Sequence, residues 1–245
     1  MKPVNDHLAV KARLTTPNSS GYLLLAAEVG NWYGPFLPPD RTRRALLARL
    51  TTAAGRLAAR DEVEEATVFR AVLRPPGEGR RLLRRRGVHP ARYDVALLIR
   101  TVDPESADTL RKEAAYEEVL TMLGAGARRV HHVAARNAAR IDDVDHRPDR
   151  LFLLNYFYAD DEDDLMASWE YTAGWFQEKT DLPDSVLMRP LDGEPTDYGL
   201  INHASWPNFR SFLPDLALRP SFRRFVLATF EANDIAAQPI VYRRA

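Results

Sequence analysis

The chain has 245 residues, 45% of them apolar, enough for one large domain or two small ones with their own cores. Its 34 Lys and Arg balance 34 Asp and Glu, so no net field draws it to nucleic acid or to an anionic membrane. The absence of cysteine excludes a disulfide framework, a thiolate metal site and a cysteine nucleophile; with no secretory signal in residues 1–10 and no uncharged run near the ~20 residues of a membrane span, a soluble cytoplasmic protein is expected.

Residues 8–14 and 22–29 are both apolar enough to supply an opening strand. Residues 31–39 hold Trp32, Tyr33 and Phe36 among prolines and read as a loop, either a lid or a surface-packed aromatic turn. Leu46, Leu47, Leu50, Ala54 and Leu57 then recur at helical spacing behind Asp40, a suitable N-cap, and predict a helix over 40–60. Strands are predicted at 63–73, 93–102 and 130–134, with a helix opened by Pro104 and stopped near residue 123 by Gly124 and Gly126. The insertion 79–89 carries Arg80, Arg81, Arg84, Arg85 and Arg86. A nucleic-acid surface needs an electropositive face with stacking aromatics, so a solvated hairpin loop is expected here. The polar stretch 136–149, with Asp142, Asp143, Asp145 and Asp149, reads as a linker.

The second half repeats the order. A strand at 151–158 leads through an acidic entry, 160–164, into a helix ending near residue 179. Strands at 185–189 and 198–206 flank a Gly-Glu-Pro turn. A helical stretch over 207–232, broken near Pro214 and Pro220, precedes a last strand at 239–243. One landmark recurs: Val72-Leu73-Arg74-Pro75-Pro76-Gly77-Glu78 is echoed by Leu187-Met188-Arg189-Pro190-Leu191-Asp192-Gly193-Glu194, and each copy leads to a tyrosine, Tyr93 or Tyr198, that opens the next strand. Strand, helix, strand, strand, helix, strand, twice over, is an α+β pattern. It predicts two tandem ferredoxin-like units, 1–140 and 141–245, with antiparallel sheets packed as in a dimeric α+β barrel. Sheet edges in such units seek pairing, so a homodimer is also expected.

Strand alternation places Tyr198, Leu200, Asn202, Ala204 and Trp206 on one face of 198–206, with His203 on the other. It groups Asn155 with Leu151, Leu153 and Phe157. An amide in so apolar a strand needs a partner. His131 and His132 are adjacent on a strand, face opposite ways and have no further ligand at metal spacing, so no metal is expected. Neither a Gly-flanked nucleophilic serine nor a phosphate-binding glycine loop is present.

Asn202 and Trp206, four apart late in the third strand of the second unit, resemble the antibiotic biosynthesis monooxygenase superfamily, whose quinone-forming members carry an Asn and a Trp at this spacing; related haem-degrading members carry an Asn where Asn155 sits. The resemblance spans residues 150–245 and is fainter over 63–135. Leu97 and Thr101 replace Asn202 and Trp206 in the first unit, so one half would keep a site while the other completes the barrel. Tandem actinomycete members that open polyketide rings are the nearest class. The resemblance implies dioxygen chemistry on an aromatic polyketide-type substrate, with no metal or tightly bound cofactor; in some tandem members reduced flavin from a flavin reductase is a cosubstrate. It implies that Asn202 or Asn155 donates to an oxyanion, that Trp206 packs on the ring and donates its indole N–H, and that Arg224 meets negative charge. Trp169, Trp175, Phe212 and His203 would wall the substrate, with His203 or His132 as bases, although His203 faces away from Asn202 on a regular strand.

Departures are plain. Phe212 stands where quinone-forming members have a tyrosine, the helix arginine is Arg223 or Arg224, and residues 222–231 hold no histidine, so haem is not implied. The rival reading is a non-catalytic hydrophobic-ligand or polyketide-folding protein on the same scaffold.

Overall fold

Apolar runs can be buried only when their backbone polar groups are paired, and eight antiparallel strands satisfy both needs here. They are β1 (Gly21–Glu28), β2 (Val63–Leu73), β3 (Val95–Thr101), β4 (Arg129–Asp142), β5 (Leu151–Tyr158), β6 (Asp184–Pro190), β7 (Leu200–Trp206) and β8 (Ala236–Arg244). The computed structural model describes residues 1–245, the side chains of Asp215 and Ala217 excepted. The strands close into a barrel in the order β1-β3-β2-β8-β5-β7-β6-β4. Each half therefore reads fourth, first, third, second: β4-β1-β3-β2 and β8-β5-β7-β6. The halves join edge to edge, Leu73 of β2 opposite Val241 of β8 and Arg136 of β4 opposite Arg189 of β6. The barrel strands thus have neighbours on both sides, and the open edge that motivated the homodimer is absent from it.

Alternate residues point inward and fill the barrel with Leu24, Phe69, Phe152, Tyr156, Ile201 and Tyr242. The remaining faces point outward beneath helices. Over the first half lie α1 (Arg41–Ala58), α3 (Pro104–Leu110) and α4 (Ala114–Gly124); over the second lie α5 (Glu162–Thr180), α6 (Leu213–Leu218), a π-helical segment (Phe222–Leu227) and α7 (Ala228–Ala232). Asp40 caps α1 by accepting from the Arg43 N–H at 3.0 Å, and Asp161 caps α5. No helix among the described residues is long and apolar enough to cross a membrane.

Three expectations need correction, and one left open is decided. The insertion 79–89 is not a hairpin loop but a helix, α2 (Arg80–Arg86), whose Leu82 and Leu83 enter the barrel core while Arg86 grips Asp160, Nε to Oδ1 2.9 Å. The arginines masked a two-leucine stripe. Residues 136–142 are not linker but the end of β4, with Asn137, Ala139 and Ile141 buried between exposed or half-buried neighbours, so the connector is only 143–150. The helix predicted over 104–123 breaks at Arg111–Glu113, where Arg111 turns to pair with Glu194 of the other half. The opening strand is β1. Residues near Arg13 instead bind α5, where Gln177 Oε1 accepts from the Arg13 N–H at 2.8 Å and Gln177 Nε2 donates to its carbonyl at 3.0 Å. The 31–39 loop lies apart from the cavity described below, with Trp32 buried, its Nε1 donating to the Arg92 carbonyl at 2.9 Å, and Tyr33 and Phe36 exposed.

Candidate functional site

The outer face of β5, β7 and β8 is not filled by its helices. A cavity of about 710 Å³ lies between them, floored by Leu153, Asn155, Trp206 and Val241 and roofed by Phe176, Leu216, Phe222 and Phe230. Pro214 and Pro220 sit in the first turns of two separate helical runs with the break at residue 219, and the π-helical segment widens the second run, so this layer does not lie on the sheet as one continuous helix. A recess of about 50 Å³ shares Asn155, Phe176 and Trp206 with the cavity and adds Trp169, Ser185 and Asn202.

Asn155 and Asn202 are cross-strand partners on this face, as alternation required. Their environments differ. Trp169 Nε1 donates to Asn202 Oδ1 at 3.1 Å and Ser185 Oγ donates to the same oxygen at 2.7 Å. An indole N–H only donates, so the Asn202 amide is fixed with its oxygen toward Trp169 and its NH₂ left as a donor. Asn155 Oδ1 is buried without a protein partner among the described residues. A buried amide left so costs free energy unless something else binds there. Opposite Asn155 stands Pro239 of β8. The Ala237 carbonyl points toward the 75–78 turn, so the Pro239 nitrogen faces that side too, where β2 has already ended, and its missing N–H costs no ladder bond.

Trp206 is buried and stacks on Phe212 with centroids 4.8 Å apart, both lining the cavity. Its Nε1 donates to Thr180 Oγ1 at 3.1 Å, so the indole offers a ring face and edge while its N–H is already engaged. Trp169 lines the recess. Trp175 is fully buried, its Nε1 donating to Ser221 Oγ at 3.2 Å, and it packs on Phe222 outside both cavities. Arg224 is exposed with its carbonyl accepting from Asn5 Nδ2 at 2.6 Å; its neighbour Arg223 lines the cavity instead. Sequence spacing alone did not separate them, because a π-helical turn shifts the face each residue presents.

His203 lies on the opposite side of the sheet, inside the barrel. His146 Nε2 and His203 Nε2 are 2.7 Å apart, His203 Nδ1 is 3.0 Å from the Leu153 carbonyl, and His146 Nδ1 is 2.8 Å from Glu65 Oε1. Burial and the neighbouring His146 push His203 down to about 3, so it is neutral at ordinary pH and has no access to the cavity. Tyr198 precedes β7 and turns inward as well, against His131 and Tyr156, off the face assigned to it by alternation. His131 is buried in the same interior, and its pKa is pushed down to about 4 by desolvation and by His132. No cluster of three or more metal-ligating side chains occurs among the described residues.

The first half contributes to the site, which alternation and the repeat did not foresee. Pro75, Pro76 and Glu78 line the cavity, together with Arg223 and Glu231. The signal was in the Arg-Pro…Gly-Glu landmark, which marked a turn without showing where it docks.

No protein-family model matches the sequence, and no curated protein matches it. Solved structures do resemble the fold. An anthrone oxidase-like protein superposes with a TM-score of 0.67 at 9% identity, covering 93% of this chain and 92% of its own. A candidate monooxygenase of Fusobacterium nucleatum gives 0.52 at 8% identity, over 93% and 92%. A variant chlorite dismutase of Candidatus Nitrospira defluvii gives 0.50 at 8% identity, again over 93% and 92%. At such identities the likeness is one of fold alone.

Proposed function

We propose that the two halves are tandem ferredoxin-like units of the antibiotic biosynthesis monooxygenase type, and that the second carries an oxygenase site for an aromatic, polyketide-like substrate such as an anthrone or polycyclic phenol. The observation that carries this reading is Asn155 on the floor of a large aromatic-lined cavity, with its cross-strand partner Asn202 in the recess that adjoins it. A flat substrate stacks against Trp206 and Phe212 under the phenylalanine roof, where water is excluded. Loss of a proton from an activated CH₂ leaves its electron pair delocalised onto a ring oxygen. The amide donors of Asn202 and Asn155 stabilise that oxyanion. The carbanion joins dioxygen through a new carbon–oxygen bond, the peroxide takes up a proton, and loss of water leaves a carbonyl: one oxygen atom enters the product and one leaves as water. Arg223, rather than Arg224, is the cation placed to attract the anionic form.

The test is oxygen uptake against a panel of anthrones and hydroxylated polycyclic quinones, run with and without a flavin reductase system; that comparison decides whether reduced flavin is a cosubstrate. Asn155→Leu is expected to lower uptake by about a hundredfold without loss of melting temperature. Thermal stabilisation by ligand with no uptake under either condition would instead identify a hydrophobic-ligand carrier, a reading that the apolar lining also suits.

A further inference from the structure

The two Gly-Glu turns of the repeat meet opposite fates. Each leaves its own sheet and lies across the other half: the Glu78 N–H donates to the Ala237 carbonyl of β8 at 2.9 Å, and the Leu191 N–H donates to the Ala134 carbonyl of β4 at 2.9 Å. In the second turn, Glu194 is consumed by structure. Its side chain is 4% exposed, pairs with Arg111 and accepts the Ala134 N–H at 3.0 Å. Glu78, its counterpart, makes no ion pair and no side-chain hydrogen bond among the described residues, and it lines the cavity.

Its backbone is nevertheless held tightly. A Cβ on Gly77 would lie 2.6 Å from Gln238 Nε2 and 2.7 Å from the Ala237 carbonyl oxygen; on Gly79, at φ +74°, it would lie 2.4 Å from the Ala236 Cα. Gln238 Nε2 also donates to the Glu78 carbonyl at 2.9 Å. Only glycines on either side let the turn approach β8 this closely. A carboxylate is thus held on the cavity wall with no ionic or hydrogen-bonding partner among the described residues. Among the described residues, the other charged groups lining the cavity are Glu231 of α7 and Arg223 of the π-helical segment. Burial, reinforced by Glu231, raises the pKa of Glu78 from the ordinary carboxylate value, which makes it a better match for a weak carbon or phenol acid.

Resting on the oxygenase reading above, we propose that Glu78, supplied by the first half of the chain, is the proton acceptor for the substrate bound in the second. A carboxylate oxygen takes the acidic C–H or O–H proton, and the bonding pair stays with the ring system, where its charge is met at the far end by the Asn155 and Asn202 amides. β8 separates the Glu78 turn from β5, so the carboxylate stands about 10 Å from Asn155 across two strand spacings and about 14 Å from Asn202 across three. That span suits a fused-ring ligand. The carboxylic acid then returns its proton to the peroxide.

The experiment is anaerobic, so that it reads proton removal without oxygenation: exchange of the acidic C–H hydrogens of 1,8-dihydroxyanthrone in D₂O, with ligand binding followed by melting-temperature shift. The whole protein is expected to accelerate exchange, with a rate that rises with pH as Glu78 ionises. Glu78→Gln is expected to bind the anthrone but lose about a hundredfold in exchange and the pH-dependent rise with it. Glu194→Gln is the mirror control, with a lowered melting temperature and unchanged exchange by the folded protein. Equal exchange by Glu78→Gln and wild type would overturn the assignment of Glu78 and leave the oxygenase reading standing. No binding or exchange in wild type would overturn both.

Discussion

The outer faces of the two half-barrels share one strand order and differ in what they bury. In the first half, Leu25 of β1 stands opposite Leu97 of β3, and α1 lays Leu46, Leu50, Ala54 and Leu57 directly over that sheet. At the corresponding place in the second half, Asn155 stands opposite Asn202, and the roof is a broken helix with a π-helical turn. A leucine pair asks to be covered; an asparagine pair asks for a hydrogen-bonding partner. The comparison teaches that a cavity is made by two changes together, polar residues on the sheet and irregularity in the helix layer.

The largest expected effect is on the filled face. Leu50→Ala should destabilise by about 2–5 kcal/mol in urea unfolding, because Leu50 is fully buried and its helix is held by the neighbouring contacts. Leu216→Ala, at the roof of the cavity, should cost less than about 1 kcal/mol, since it enlarges a space that already exists. Equal costs would break the contrast.

Next come the asparagines, each replaced by the leucine of the first half. Asn202→Leu should destabilise by about 1–3 kcal/mol, because Trp169 Nε1 and Ser185 Oγ lose their acceptor. Asn155→Leu should be neutral or stabilising by about 1 kcal/mol, because its buried oxygen has no partner to lose among the described residues. A matched pair of losses would mean that Asn155 is structural after all.

The shared interior supplies a pH test that both halves feel. His131 and His203 have folded-state values of about 4 and about 3, below the roughly 6.5 of an unfolded histidine, so the unfolded chain binds more protons between those limits. Their stabilising contribution is complete above pH ~6.5 and falls as pH drops toward those values, by at most about 1.4 kcal/mol per pH unit for each histidine. Urea unfolding between pH 7 and 4.5 should show the decline. The smallest effect is expected for Arg224→Ala, within about 0.5 kcal/mol and without change in anthrone affinity, whereas Arg223→Ala should weaken affinity for the anionic form severalfold.

Much of the framework was legible because strand periodicity is local. β2 and β5 fall at their predicted limits, and alternation put Asn155, Asn202 and Trp206 on one face. What escaped was contact between distant segments. The arginine-rich insertion looked solvated until Leu82 and Leu83 found the barrel, and nothing local shows that the Glu78 turn docks on β8 of the other half. Trp206 was read with a free indole N–H, yet Thr180, on another element, takes it. Arg223 and Arg224 were indistinguishable because helical pitch in a π-helical turn is set by packing.

The short connector 143–150 does more than join the halves. Val144 and His146 are buried in the barrel, His146 holding Glu65 of the first half and His203 of the second, while α2 seats Leu82 and Leu83 at the opposite end. The barrel is corked at both mouths by segments that touch both halves. Neither sheet can loosen without drawing a cork and exposing the aromatic interior, so heat should melt the chain in one cooperative transition, as a single folding unit.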